Sequence, residues 1–146
     1  MDNGLNALML LLMSWIGEHS AYVIPPTAPQ ILFIEQQQLA AISCNRHCPV
    51  KGWYPTEQAD GGKILYLING LDLNQDVCSR SVLLHELVHY VQDYNHAFSN
   101  REDSEIVVYT EREMEAIRLE RLYSMEHNAR CRARQVLLDP RIPRKP

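Results

Sequence analysis

His85-Glu86-Leu87-Val88-His89 constrains this chain more than any other stretch. Residues four apart share a helix face, so His85 and His89 would aim two imidazole nitrogens at one point. Glu86, beside His85, would flank that point without having to bind it. Two neutral imidazoles suit Zn²⁺, and a neighbouring carboxylate can take a proton from an attacking water. A pattern this short needs a supporting context. Ser79-Arg80-Ser81 offers N-cap hydroxyls just before an apolar run. Leu84, Leu87, Val88 and Val91 recur at helical spacing and predict a buried stripe. His85, Glu86, His89 and Asp93 fall largely on another side. The sequence therefore predicts one helix with a core face and a chemical face.

A catalytic zinc usually takes three protein ligands and leaves a position for water. Extending the motif along its own helix fails, because the position for a third His is Asn95 and His96 comes one residue late. A Glu on a later helix is the remaining route. Thr110 to Glu120 is rich in strong helix formers. Glu111 and Glu115 lie four apart and share a face, while Glu113 points elsewhere. Glu113, Glu120 and Glu126 read as a solvated face with i, i+4 Glu/Arg pairs.

At this point the chain resembles a known family. His85-Glu86-Leu87-Val88-His89 followed by Glu115-Ala116 is similar to the gluzincin class of zinc metallopeptidases, above all its small single-domain members. The resemblance spans roughly Ile64 to Tyr123. It implies a third zinc ligand from a Glu on the next helix, often in a Glu-Ala dipeptide, which favours Glu115 and leaves Glu111 as the fallback. Many members carry an acidic residue four positions after that ligand to orient a histidine. Here that position is Leu119, so the orienting group would come from Glu111, Asp93 or a backbone carbonyl.

The chain has 146 residues, 46% of them apolar and 22% charged, which fits one globular domain, residues 1–146. The net charge is −4 and basic residues are not interleaved with aromatics, which argues against a nucleic-acid partner. Residues 1–23 would hold an N-terminal helix, with Leu5 to Ile16 as its apolar run. That run is too short to span a bilayer. Asp2 before it, and Glu18 and His19 after it, speak against a signal peptide. Asp2 or Asn3 would cap the helix. Residues 132–146 would form a basic, Pro-containing C-terminal strap.

Four cysteines, Cys44, Cys48, Cys78 and Cys131, give an even count. That favours two disulfides, and with them an exported or periplasmic setting, over four free thiols in the cytoplasm. A Cys78–Cys131 bridge would tie the start of the motif helix to the end of the Glu115 helix, and Cys44 and Cys48 could close a short loop. A second zinc site from Cys44, His47 and Cys48 lacks a paired partner motif.

Between the first helix and the motif, Ile24 to Pro29 reads as an extended connector. Ile31–Ile34 reads as a strand, Glu35–Ile42 as a short helix and Val50–Tyr54 as a second strand. Pro55 to Gly62, with Asp60-Gly61-Gly62, reads as a hairpin turn into a third strand, Lys63–Ile68. The expected fold is α+β, a small antiparallel-containing sheet packed on helices, as in the minimal gluzincin core. There the strand Ile64 to Ile68 would border the cleft with a free edge for an extended peptide.

The expected function is a zinc-dependent peptidase acting on a peptide or protein. His85, His89 and Glu115 would hold Zn²⁺, and Glu86 would be the general base. Tyr90, Tyr94, His96, Tyr109 and Tyr123 are candidate donors to the oxyanion. The same residues allow a zinc-bearing binding or regulatory module with little or no turnover, or a structural domain in which Glu86 is a surface acid.

Overall fold

The computed structural model describes residues 3–43, 50–56, 58, 63–98 and 104–131. Within them the order is α1 (Asn3–Glu18), β1 (Gln30–Ile34), α2 (Gln36–Ser43), β2 (Gly52–Trp53), β3 (Ile64–Ile68), α3 (Val77–Tyr94) and α4 (Glu105–Glu126). This is the expected α+β order. Asp2, the Asp60-Gly61-Gly62 turn, Cys44, His47, Cys48 and the 132–146 strap lie outside the described residues.

The sheet order is β1-β3-β2. β1 runs parallel to β3, with Gln30 opposite Ile64 and Ile34 opposite Ile68, and α2 lies in the crossover that a parallel pair requires. β2 runs antiparallel to β3, with Gly52 opposite Leu67 and Trp53 opposite Tyr66. β3 is thus the central strand, contrary to the expectation of a free edge there. Past β2, the Gln58 side chain closes β3 by bonding both the N–H and the carbonyl of Ile64 (2.8 and 2.9 Å). Gly70, at φ +91°, makes the turn that ends the strand, a conformation that favours glycine.

α3 is the centre of the molecule. Leu84, Leu87, Val88 and Val91 are wholly buried, as their spacing predicts, and Leu83 is buried with them. They meet Leu12, Met13 and Ile16 of α1, Leu65 and Leu67 of β3, and Ala116 and Leu119 of α4. Truncating a leucine such as Leu87 to Ala would cost about 2–5 kcal/mol. Most of the chemical face is buried too: His85, Glu86 and His89 all lie below the surface. The reason is α4, which packs along that side of α3.

The helix begins earlier than the Ser79–Ser81 hydroxyls suggested. Asp76 is the N-cap, accepting from the N–H groups of Cys78 (3.2 Å) and Ser79 (3.1 Å) and from Ser79 Oγ (2.8 Å). A carboxylate adds charge to the hydrogen bond at the positive end of the helix, which a hydroxyl does not. Ser79 and Ser81 lie inside the first turns, and Ser81 Oγ donates to the carbonyl of Cys78. A Cys78–Cys131 disulfide, Cα–Cα 5.3 Å, fastens the second residue of α3 to the segment after α4.

Candidate metal centre

The i, i+4 spacing on α3 brings His85 and His89 side by side, ring centroids 5.0 Å apart. The third member comes from α4, and it is Glu113. Its Oε1 lies 2.5 Å from His89 Nε2 and its Oε2 lies 3.3 Å from His85 Nε2. The three ligand atoms fall within 4.8 Å of one another. Tetrahedral zinc ligands at about 2.0–2.2 Å from the metal sit about 3.3 Å apart, so a small movement of the Glu113 carboxylate would admit the ion.

The far nitrogens of both rings are already held. His85 Nδ1 is 2.9 Å from Glu120 Oε1, and His89 Nδ1 is 2.8 Å from Gln92 Oε1. An oxygen opposite Nδ1 makes that nitrogen the N–H donor. In both rings Nε2 is then the atom turned toward Glu113, and the one a metal would engage. Metal-ligating histidines are commonly oriented this way.

The electrostatics of the pocket are lopsided. Glu86, Glu113 and Glu120 surround two histidines, and Glu86 and Glu120 are buried. Burial by itself would push the His85 imidazolium down, but Glu86, Glu113 and Glu120 outweigh it and hold its pKa up to about 10. Burial by itself would push the Glu113 carboxyl up, but the charges and hydrogen bonds of His89 and His85 hold it well below the usual carboxylate range. A proton on His85 partly neutralises the acids around it, and a divalent cation would neutralise more of the charge.

Glu86 is 4% exposed and its carboxylate makes no hydrogen bond among the described residues. Space for it is left by Gly52: a Cβ at that position would come within 2.8 Å of Glu86 Cγ and 3.3 Å of its Oε2. A buried carboxylate with no hydrogen bond of its own, beside a cluster that could hold a metal, is equipped to handle a proton.

The structure brings together His85, Glu86 and His89 as the sequence predicts, but not Glu115. Glu115 Oε1 accepts from Gln92 Nε2 (2.9 Å) and from the Tyr22 hydroxyl, one step removed from the rings. Glu111, the fallback, is exposed. Glu113 and Glu120, read above as solvated face, are the two acids that meet the histidines. Glu126, the third of that group, bonds Trp15 and His19 instead. Helical register carried the missed signal: Glu113 lies three and four residues before buried Ala116 and Ile117, and Glu120 three residues before buried Tyr123. Asp93, proposed as an orienting group, is engaged by Tyr54 Oη (2.6 Å) and Lys63 Nζ (3.3 Å).

Of the candidate oxyanion donors, Tyr90 spends its hydroxyl on the Thr27 carbonyl (2.7 Å) and Tyr123 takes a bond from Arg80 (3.1 Å). Tyr94 is largely exposed and His96 lies beyond the end of α3. Tyr109 sits one turn before Glu113 on the same face of α4.

No curated protein and no solved structure matches the chain. The family described as Domain of unknown function (DUF6647) matches it over residues 3–137.

Proposed function

We propose that this chain, which belongs to the DUF6647 family, is a zinc-dependent peptidase. The observation that carries the reading is the convergence of His85 Nε2, His89 Nε2 and the Glu113 carboxylate next to the buried Glu86 carboxylate, which makes no hydrogen bond among the described residues. Two histidines and a glutamate form a donor set known for catalytic zinc. The gluzincin resemblance supports the same reading, with Glu113 in place of Glu115 as third ligand. Bound there, zinc would supply Lewis acidity toward a water and a substrate carbonyl.

The protein's own groups would do the rest. Glu86 would take the proton of the attacking water and deliver it to the leaving amine. Glu120 and Gln92 would hold the rings with Nε2 turned inward. An extended peptide would pair with the outer edge of β2 rather than with β3, since Gly52 of β2 lies against Glu86. No helix of the described residues is long and apolar enough to cross a membrane. The Cys78–Cys131 disulfide suits an oxidising compartment, so we read the protein as exported.

Digestion of a peptide library by the zinc-loaded chain and by Glu86→Gln tests this. Cleavage by the wild type, reduced at least ~10²-fold in the variant, is expected. A wild type that holds stoichiometric zinc but cleaves nothing would overturn the peptidase reading in favour of a zinc-bearing binding module.

A further inference from the structure

We propose that Tyr22 is a positioning residue for the metal centre, acting on His89 through Glu115 and Gln92; the proposal rests on the metal-site reading above. Tyr22 lies in the connector between α1 and β1, on neither metal-bearing helix. Its hydroxyl donates to Glu115 Oε1, and that same oxygen accepts from Gln92 Nε2 at 2.9 Å. Gln92 Nε2 also donates to the Arg112 carbonyl at 3.2 Å.

With its amino group held by two acceptors, buried Gln92 can present only its oxygen to His89 Nδ1, at 2.8 Å. That choice fixes the proton on Nδ1 and leaves Nε2 for the metal. A flipped Gln92 amide would point N–H at Nδ1 and favour the tautomer whose proton sits on Nε2, where no metal can bind. Glu115 sets the direction of the amide, and Tyr22 sets the direction of Glu115.

The connector itself is fastened to the metal helix. Asn95 bonds both the N–H and the carbonyl of Val23 (2.9 and 2.8 Å), and Tyr90 holds the Thr27 carbonyl. Burial, the bond to Glu115 and the charge of Glu115 all raise the Tyr22 pKa, so its hydroxyl remains a donor across the working pH range. The relay reaches from a connector far from the motif in sequence to a ring nitrogen of the motif's second histidine.

The test uses the full chain, ¹⁵N-labelled at histidine, with two readouts. One is exchange of the His89 Nδ1–H proton by NMR, and the other is zinc affinity by chelator competition. Tyr22→Phe is expected to speed that exchange and to weaken zinc about tenfold, at the low end of the ~10–100-fold typical of groups that orient ligands. Glu115→Leu should behave alike. Glu115→Gln, whose amide oxygen still accepts, should keep wild-type values, and this pair decides the matter if Tyr22→Phe does not fold. Unchanged exchange and affinity in folded Tyr22→Phe or Glu115→Leu would overturn the proposal. A wild type that takes up no zinc would instead overturn the metal reading, and the exchange measurement would then decide the relay alone.

Discussion

Glu113 Oε1 lies 2.5 Å from His89 Nε2, while Glu115 on the same helix lies behind the imidazole, bonded to Gln92. Two residues of helix separate a carboxylate in front of the ring from one that supports its back.

That placement ranks the two acids. Glu113→Ala is expected to lose zinc affinity by far more than the ~10–100-fold typical of an orienting group. Glu115→Ala should stay within that range. Chelator competition on both variants measures this, and the reverse order would return the ligand role to Glu115.

Gly52 offers a way to disturb Glu86 without touching a ligand. A Cβ there would sit 2.8 Å from Glu86 Cγ and 3.1 Å from Leu67 Cδ2, so the carboxylate must move. Gly52→Ala should keep its zinc and lose peptide hydrolysis by about tenfold or more. Full activity in a zinc-replete Gly52→Ala protein would mean that Glu86 need not be held where it is.

The cluster also sets a pH dependence. The folded His85 pKa is raised from 6.5 to about 10, so its contribution to the stability of the metal-free chain is full below about 6.5 and lost as pH rises toward 10. The Glu113 pKa is lowered from 4.5, so its contribution is present above 4.5 and lost as pH falls through its depressed value. Zinc bound there would have to displace the His85 proton. Apparent zinc affinity should therefore climb about tenfold per pH unit between about 6.5 and 10. Titration calorimetry in buffers of different ionisation enthalpy would count the released protons. A flat profile would show that His85 enters the site already neutral.

The Cys78–Cys131 bridge spans a sequence separation of 53. A loop of that length is worth roughly 4 kcal/mol in the chain-entropy model. Cys78→Ser or Cys131→Ser should lower denaturant stability by about that amount and loosen zinc, because the bridge ties the start of α3 to the segment after α4. Equal stability of the oxidised protein and these variants would contradict this.

Much of this arrangement was legible in the sequence because it is local. The His85–Glu86–His89 spacing and the leucine stripe depend only on helix geometry, and both appear as expected. The partner of Cys78 was also anticipated, since the two cysteines flank α3 and α4. What escaped depends on which side of one helix meets another. Glu113 and Glu120 look like solvent charges until α4 is laid on α3, and the Glu115-Ala116 dipeptide drew attention to the neighbouring residue. Ser79 and Ser81 hid the better cap at Asp76 for a related reason: three acceptable caps in one stretch cannot be ranked without knowing where the chain enters the helix. The central position of β3 follows from the parallel pairing of β1, a contact between strands with a helix between them.

Zinc content of the full chain is the most direct test of the central claim. After exposure to zinc at neutral pH and exhaustive dialysis, mass spectrometry under native conditions should find one zinc per wild-type chain. Folded His89→Ala and Glu113→Ala should carry none. A folded wild-type chain without zinc, or a Glu113→Ala chain that retains it in full, would contradict the account.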